Sequence, residues 1–289
     1  MALTFVAILL RILSNPVANV FQKRLAAGGC NALMVNFISY LLLSGVCLVP
    51  AAGVTWAVLP WQFWMYATIA GVFGAVGNGF LVLALRRGDL SVLGPINSYK
   101  SVVGMIVGII LLGEIPSVAG MAGVVIIIAG SYLVFETTPE GFSWKLLRNA
   151  EIRYRLFAMV LTAIEAVFIK KVILYSDTTV SFIAWCWFGC LFAFIQLWAM
   201  KVKIRGEIKH LGYKEWMTFV ALVACVGTMQ YTTNYAFKHI DVGYALALFQ
   251  LSTIVSIALG WRLYHEKAIA RKMLGAIVMI GGSALIILG

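Results

Sequence analysis

The chain has 289 residues, 62% of them hydrophobic and only 11% charged, with a mean hydropathy of +0.97. A soluble protein of this size carries roughly a quarter of its residues as charges. This composition therefore excludes a water-soluble globule and leaves room for about ten membrane helices of ~20 residues each. The net charge of +11 and pI near 9.6 are read as Lys and Arg gathered in cytoplasmic loops, and no nucleic-acid partner is expected.

In chain order, apolar runs bounded by Gly, Pro or charge predict spans at about 2–22, 31–52, 61–85, 90–112, 117–135, 156–176, 179–200, 214–237, 242–263 and 268–288. The first run is taken as a span and not as a cleaved signal, because it lacks a basic start and carries Arg11 in its middle. Asn15–Pro16 in the first span and Gly94–Pro95 in the fourth each free a backbone carbonyl, at Ile12 and Ser91. Both predict bent or broken helices beside polar side chains, which is how transporter sites are commonly built. Gly71, Gly74 and Gly77 in the third span, and Gly104 and Gly108 in the fourth, predict close helix contacts. Two polar stretches stand out, residues 136–155 (ETTPEGFSWKLLRNAEIRYR) and 201–213 (KVKIRGEIKHLGY). Cys30, Cys47, Cys186, Cys190 and Cys225 sit in or beside apolar stretches, which favours buried thiols over disulfides. His210, His239 and His265 show no ligand spacing, so neither a metal nor another cofactor is expected.

The two halves resemble each other. An offset of 152 places Asp89 on Asp241, Glu114 on Glu266, Gly123 on Gly275, Gly130 on Gly282 and Ser131 on Ser283, while VFQKR at 20–24 matches VFIKK at 167–171. Five spans is an odd number, so the second copy enters the membrane the opposite way up. The expected fold is an all-α membrane protein of ten transmembrane helices in two inverted five-helix repeats, 1–135 and 156–289, joined by the polar linker 136–155. Lys and Arg number seventeen in loops after odd spans and three in loops after even ones. That asymmetry predicts cytoplasmic odd loops and both termini outside.

These features are similar to those of the drug/metabolite transporter superfamily, in its EamA-like ten-helix branch. The resemblance rests on GNGFLVLALRRGDLSVLGPINSYKSVVGMIVGIILLGEIPSVAGMAGVVIIIAGSYLV and its partner YAFKHIDVGYALALFQLSTIVSIALGWRLYHEKAIARKMLGAIVMIGGSALIIL, and on Leu112-Gly113-Glu114 closing span four. It implies a multi-pass inner-membrane transporter with a small-molecule substrate. Two departures are visible. The position before a mid-helix proline in the fourth helix is here Lys100–Ser101, with the proline at Pro95, and the second copy reads Tyr264-His265-Glu266. The family also more often has cytoplasmic termini.

Three ionisable residues fall near mid-span, Arg11, Lys100 and Glu165. Each costs at least ~2.5–3.5 kcal/mol to insert, so each needs a cavity or a partner. An Arg11–Glu165 pair tying the first helices of the two repeats together is the structural reading. The functional reading is a substrate path lined by Lys100, Arg11 and Glu165 with Asn15, Asn97, Tyr99, Trp185, Tyr231, Tyr244 and Gln250. Glu114 and Glu266 are read as helix caps or loop ion pairs. The function expected is secondary active transport of a small polar metabolite, an amino acid or related anionic or zwitterionic compound, by alternating access around a midplane cavity. A coupling proton or an exchanged solute would drive it, and the lipid bilayer is its other partner. The alternatives are efflux of cationic or aromatic compounds, recognised by Glu165, Trp185 and the tyrosines, and an intramembrane lipid-modifying enzyme. The enzyme would need clustered carboxylates or a nucleophile with a base, and the spans supply one Glu.

Overall fold

The computed structural model describes residues 2–100, 102–103, 117–138, 144–209, 211–240 and 242–288. In lipid each backbone N–H and C=O must find an internal partner, which helices supply. The described residues form helices and turns without a strand. The first half holds α1 (Ala2–Ala27), α2 (Ala32–Val46), α3 (Trp61–Leu85) and α4 (Val118–Phe135). The second holds α5 (Ala150–Leu174), α6 (Thr178–Ala199), α7 (Tyr213–His239), α8 (Val242–Phe249), α9 (Ser252–Tyr264) and α10 (Ile269–Leu288). Among the described residues, five stretches are long and apolar enough to cross a membrane: Leu3–Ala27, Trp61–Leu85, Val118–Phe135, Thr178–Ala199 and Ile269–Ile286. On α1 the exposed Leu3, Phe5, Leu9 and Leu13 form the outward, lipid-facing side.

Caps start several helices where the sequence offers them. Asn31 Oδ1 accepts from Leu33 N at 3.0 Å, Ser117 Oγ from Gly120 N at 2.9 Å, and Asp177 Oδ1 from Thr179 and Val180 N at 2.6 and 2.9 Å. Asn149 does the same for α5, its Oδ1 accepting from Glu151 N at 3.0 Å. This cap shortens the expected 136–155 linker, because α5 already begins at Ala150 and takes Arg155 into the helix. The expected break at Asn15–Pro16 does not occur. Pro16 sits inside a continuous α1.

The fourth segment does break where Gly94–Pro95 predicts. A helical turn at Leu90–Leu93 gives way to a 3-10 turn at Pro95–Ser98, in which Asn97 N donates to Gly94 O at 3.1 Å. Leu93 O thereby loses its α-helical donor. The expected single helix over 242–263 is also interrupted, between α8 and α9. There, Thr253 N donates to Gln250 O at 2.9 Å and Ile254 N to Leu251 O at 3.1 Å, again i→i+3 bonds. This second break falls on Gln250, whose repeat partner at the 152 offset is Ser98. Gly104, Gly108, Leu111 and Leu112-Gly113-Glu114 lie outside the described residues, as do Ser101, His210 and Asp241.

The halves interlock. α1 packs along α7, α3 along α5, α2 against α6, and α4 along α10. In each case the repeat relation turns the contact into itself or into its partner: the first helix of one repeat lies on the third of the other, second lies on second, and fifth on fifth. The α4–α10 seam shows the two-fold directly. A Cβ on Gly123 would meet Gly282 O at 2.6 Å, and one on Gly282 would meet Gly123 O at 2.7 Å. Gly130 and Gly275 stand in the same relation, at 2.8 and 2.6 Å. Gly123 and Gly130 map onto Gly275 and Gly282, so the seam is an antiparallel contact of one segment with its own copy. Only glycine permits backbones this close.

Candidate functional site

Between the two halves lies a partly open cavity of about 100 Å³. Its walls come from α1, α2, α3, α5, α6 and α7, with Asn97 and Lys100 from the fourth segment and Leu246 and Phe249 from α8. Of the expected site residues, Lys100, Arg11, Glu165, Asn15, Asn97 and Trp185 all line it. The polar side chains Asn19, Asn36, Asn78, Gln230 and Thr233 line it too.

Glu165 lies on α5, with its carboxylate against α3. Trp185 Nε1 donates to Glu165 Oε1 at 2.7 Å. A Cβ on Gly74 would stand 2.2 Å from that oxygen, so the glycine is what lets the carboxylate lie there. Trp185 packs on Tyr40 with centroids 4.6 Å apart, and Tyr40 Oη accepts from Asn78 Nδ2 at 2.9 Å. Arg11 Nε donates to Thr233 Oγ1 at 2.7 Å, and its guanidinium carbon stands 4.8 Å over the Phe249 ring. Its Nη1 is buried without a hydrogen-bond partner. The Arg11–Glu165 ion pair expected as the structural alternative is therefore not formed. Each residue takes a neutral partner, and the two share a cavity instead of a bond.

Lys100 makes no hydrogen bond or ion pair among the described residues and feels the charges of Arg155, Arg11 and Glu165. The expected 136–155 linker makes Arg155 a loop charge. It is 4% exposed, lines the cavity, and donates from Nε to Leu93 O at 2.9 Å. This is the carbonyl released by the helix break, so the break and the buried arginine explain each other. The readable signal for it was the Asn149 cap with Glu151 in the first turn, which puts Arg155 one and a half turns into a helix.

The other expected residues point elsewhere. Tyr99 Oη donates to Ser131 Oγ at 2.7 Å, toward α4. Tyr231 is 41% exposed, stands 3.3 Å from Thr179 Oγ1 and meets Phe182 edge to face. Gln250 is buried but does not line the cavity. The side chain of Tyr244 lies outside the described residues.

A second cluster of buried charge sits where the α3–α4 and α9–α10 connections meet. Glu266 accepts from Leu90 N and Ser91 N, both at 2.9 Å, and from the Ser91 hydroxyl. It thus caps the first turn of the fourth segment, as the sequence suggested for a helix-edge glutamate. Lys23 Nζ donates to Gly88 O at 2.7 Å, lies 3.7 Å from Glu266 Oε1 and stands 4.5 Å over the Tyr264 ring. Lys272 Nζ donates to Ser91 Oγ at 2.8 Å and lies 3.9 Å from Asp89 Oδ2. The repeat partner of Lys23 is Lys170, whose Nζ donates to Phe237 O and approaches Ile240 O at 3.5 Å. Ile240 is the partner of Gly88, so the same lysine-to-loop tether occurs in both halves.

This two-fold arrangement has a match among known proteins. The model of the EamA-like transporter family matches residues 3–136 and again residues 151–288. The chain belongs to this family. Its two matched segments are the two halves that the offset of 152 relates, and they place it in the drug/metabolite transporter superfamily of multi-pass membrane transporters. No curated protein sequence matches the chain. A solved structure described only as "Crystal structure of protein" is similar in fold, with a TM-score of 0.66 at 19% identity over 99% of this chain and 96% of that one. In this EamA-like chain the cavity therefore lies at the interface of the two repeats.

Proposed function

We propose that this protein is a secondary active transporter that carries a small anionic or zwitterionic metabolite by alternating access through ten spans. The observation that supports this reading is the convergence of Lys100, Arg11 and Glu165 on one cavity between the repeats. Charges in a bilayer interior are costly and are kept where they meet a solute or each other, and these do not pair with each other. A cavity of about 100 Å³ is far smaller than the ~300–1,000 Å³ that takes drug-sized ligands, which favours a small metabolite over bulky aromatic compounds. Efflux of cations is disfavoured further, since the cavity's carboxylate is held by Trp185 and outnumbered by cations. A lipid-modifying enzyme would need a second carboxylate or a nucleophile–base pair, and among the described lining residues Glu165 is the one acid. The chain has no nucleotide-binding loop, so a gradient or an exchanged solute supplies the drive. The excess of Lys and Arg in the loops after odd spans supports an orientation with both termini outside a cell inner membrane.

Counterflow into proteoliposomes loaded with pools of amino acids, organic acids, sugars or amines tests the reading. Uptake is expected for an acidic or amino-acid pool and is lost in Lys100→Met. Uptake confined to amines would replace this reading with cation efflux, and absence of uptake from every pool would remove it. A reporter at the C-terminal end that works only in the cytoplasm would reverse the orientation.

A further inference from the structure

The cavity holds three cations, Arg11, Lys100 and Arg155, against the single carboxylate of Glu165. Among the described residues no carboxylate comes within ion-pair distance of any of the three. Arg11 spends Nε on Thr233 and leaves Nη1 buried and unpartnered. Arg155 spends Nε on a backbone carbonyl. Lys100 spends none of its donors on the described residues. With every group charged, the cavity carries an excess of two positive charges, Arg155 buried and Arg11 and Lys100 partly buried. Buried charges without partners are among the most expensive features a protein can keep, and one elementary charge of excess would already suit a monoanion. A zwitterion adds no net charge and leaves the excess untouched. Two guanidiniums and one ammonium around one space suit an anion bearing two negative charges, whose oxygens take paired N–H donors from arginine and a point charge from lysine.

We infer that the solute is a small dianion, a dicarboxylate or a phosphate monoester, held by Arg11, Lys100 and Arg155 together. Arg155 has a double role. Its bond to Leu93 O fixes the guanidinium at the broken fourth segment, beside Lys100, so the break places two cations on the ligand at once. This narrows the transport reading above to one charge class and rests on that reading. Glu165, locked by Trp185 and by the Gly74 notch, supplies the negative wall that orients the ligand toward the cations.

The test is binding to the full-length protein in nanodiscs at pH 7.5, read by calorimetry and by thermal stabilisation. The probes are succinate, glycerol 3-phosphate, lactate and alanine. One or both dianions are expected to bind at least tenfold more tightly than lactate or alanine, and the better of the two distinguishes carboxylate from phosphate chemistry. Arg155→Lys keeps a charge and is expected to retain part of the preference, while Arg155→Met abolishes it and brings dianion and lactate together. Should Arg155→Met fail to fold, the wild-type ranking and Arg155→Lys still decide. Lactate or alanine binding as well as either dianion overturns the dianion assignment and leaves the broader transport reading intact. Binding of none of the four at 10 mM overturns the dianion assignment, and counterflow with amines then decides the broader reading separately.

Discussion

Glu266 and Lys23 are buried, as Arg155 and Glu165 are, yet the two sets of charge are treated in opposite ways. Around Glu266, each carboxylate oxygen accepts from a backbone N–H, Lys23 reaches both the carboxylate and a loop carbonyl, and Lys272 bridges Ser91 and Asp89. In the cavity, cations outnumber carboxylates: Arg11 and Arg155 settle for neutral partners, and Lys100 has none among the described residues. A satisfied network fixes how two connections pack, and its removal exposes groups that the fold has already desolvated. An unsatisfied one contributes little to the fold, and on the function proposed above its members take their missing charge from a ligand. On the proposed function, charged residues inside the same fold divide into structural and binding roles by whether the chain itself completes their bonding.

The contrast can be broken from either side. Glu266→Gln leaves one backbone N–H facing an amide N–H₂ and removes the negative charge beside Lys23, which keeps only Gly88 O and the Tyr264 ring, so it should cost about 3 kcal/mol, the scale for breaking a buried pair. Thermal unfolding in detergent measures it, and a change below about 1 kcal/mol would remove the distinction. Gly74→Ala should come next. Its Cβ would stand 2.2 Å from Glu165 Oε1, and overpacking of this kind costs roughly 1–3 kcal/mol. The carboxylate must move, so Trp185 fluorescence should shift as its indole N–H is released. Lys100→Met should leave stability unchanged or raised while weakening anion binding at least tenfold, about 1.4 kcal/mol. The smallest effect is expected outside the membrane-spanning segments, in the turn between α1 and α2. Burial, then Glu215 and Glu207, push the Cys30 thiol above its ordinary pKa. Less thiolate is present at any given pH, so maleimide labelling should be slow at neutral pH and its profile displaced to alkaline values. The same sign means that any stability tied to this thiol is present below its unfolded pKa and lost as pH rises through the folded one. Glu215→Gln should move the profile back toward neutral pH.

Much of the architecture was legible because charge and glycine mark an apolar sequence sparsely. The offset of 152 paired Gly123 with Gly275 and Gly130 with Gly282, and these four residues form the two-fold seam. Glu266 was legible as a cap, and Arg11, Lys100 and Glu165 as cavity residues, because a mid-span charge has few places to go. What stayed hidden was direction around a helix axis. Tyr99 neighbours Lys100 and Tyr231 neighbours Gln230, and a step of one residue turns about 100°, enough to aim each tyrosine away from the cavity. Arg155 was hidden by a boundary: the 136–155 linker runs six residues into α5, which begins at Ala150, and so puts Arg155 in a loop. Pro16 was over-read, since α1 passes through it unbroken, while the break at Gln250 carries no Pro or Gly to announce it.

On the proposed function, the difference between the two clusters is that the cavity cations serve a ligand while the Glu266 cluster serves the fold. It is tested most directly by thermal unfolding of wild type, Lys100→Met and Lys23→Met, each with and without the tighter-binding of succinate and glycerol 3-phosphate. A ligand that binds only the folded state raises its stability by mass action. The account predicts that Lys23→Met starts from a lower transition and keeps the full ligand-induced shift, whereas Lys100→Met starts at or above wild type and loses the shift. A shift preserved in Lys100→Met and lost in Lys23→Met would contradict it.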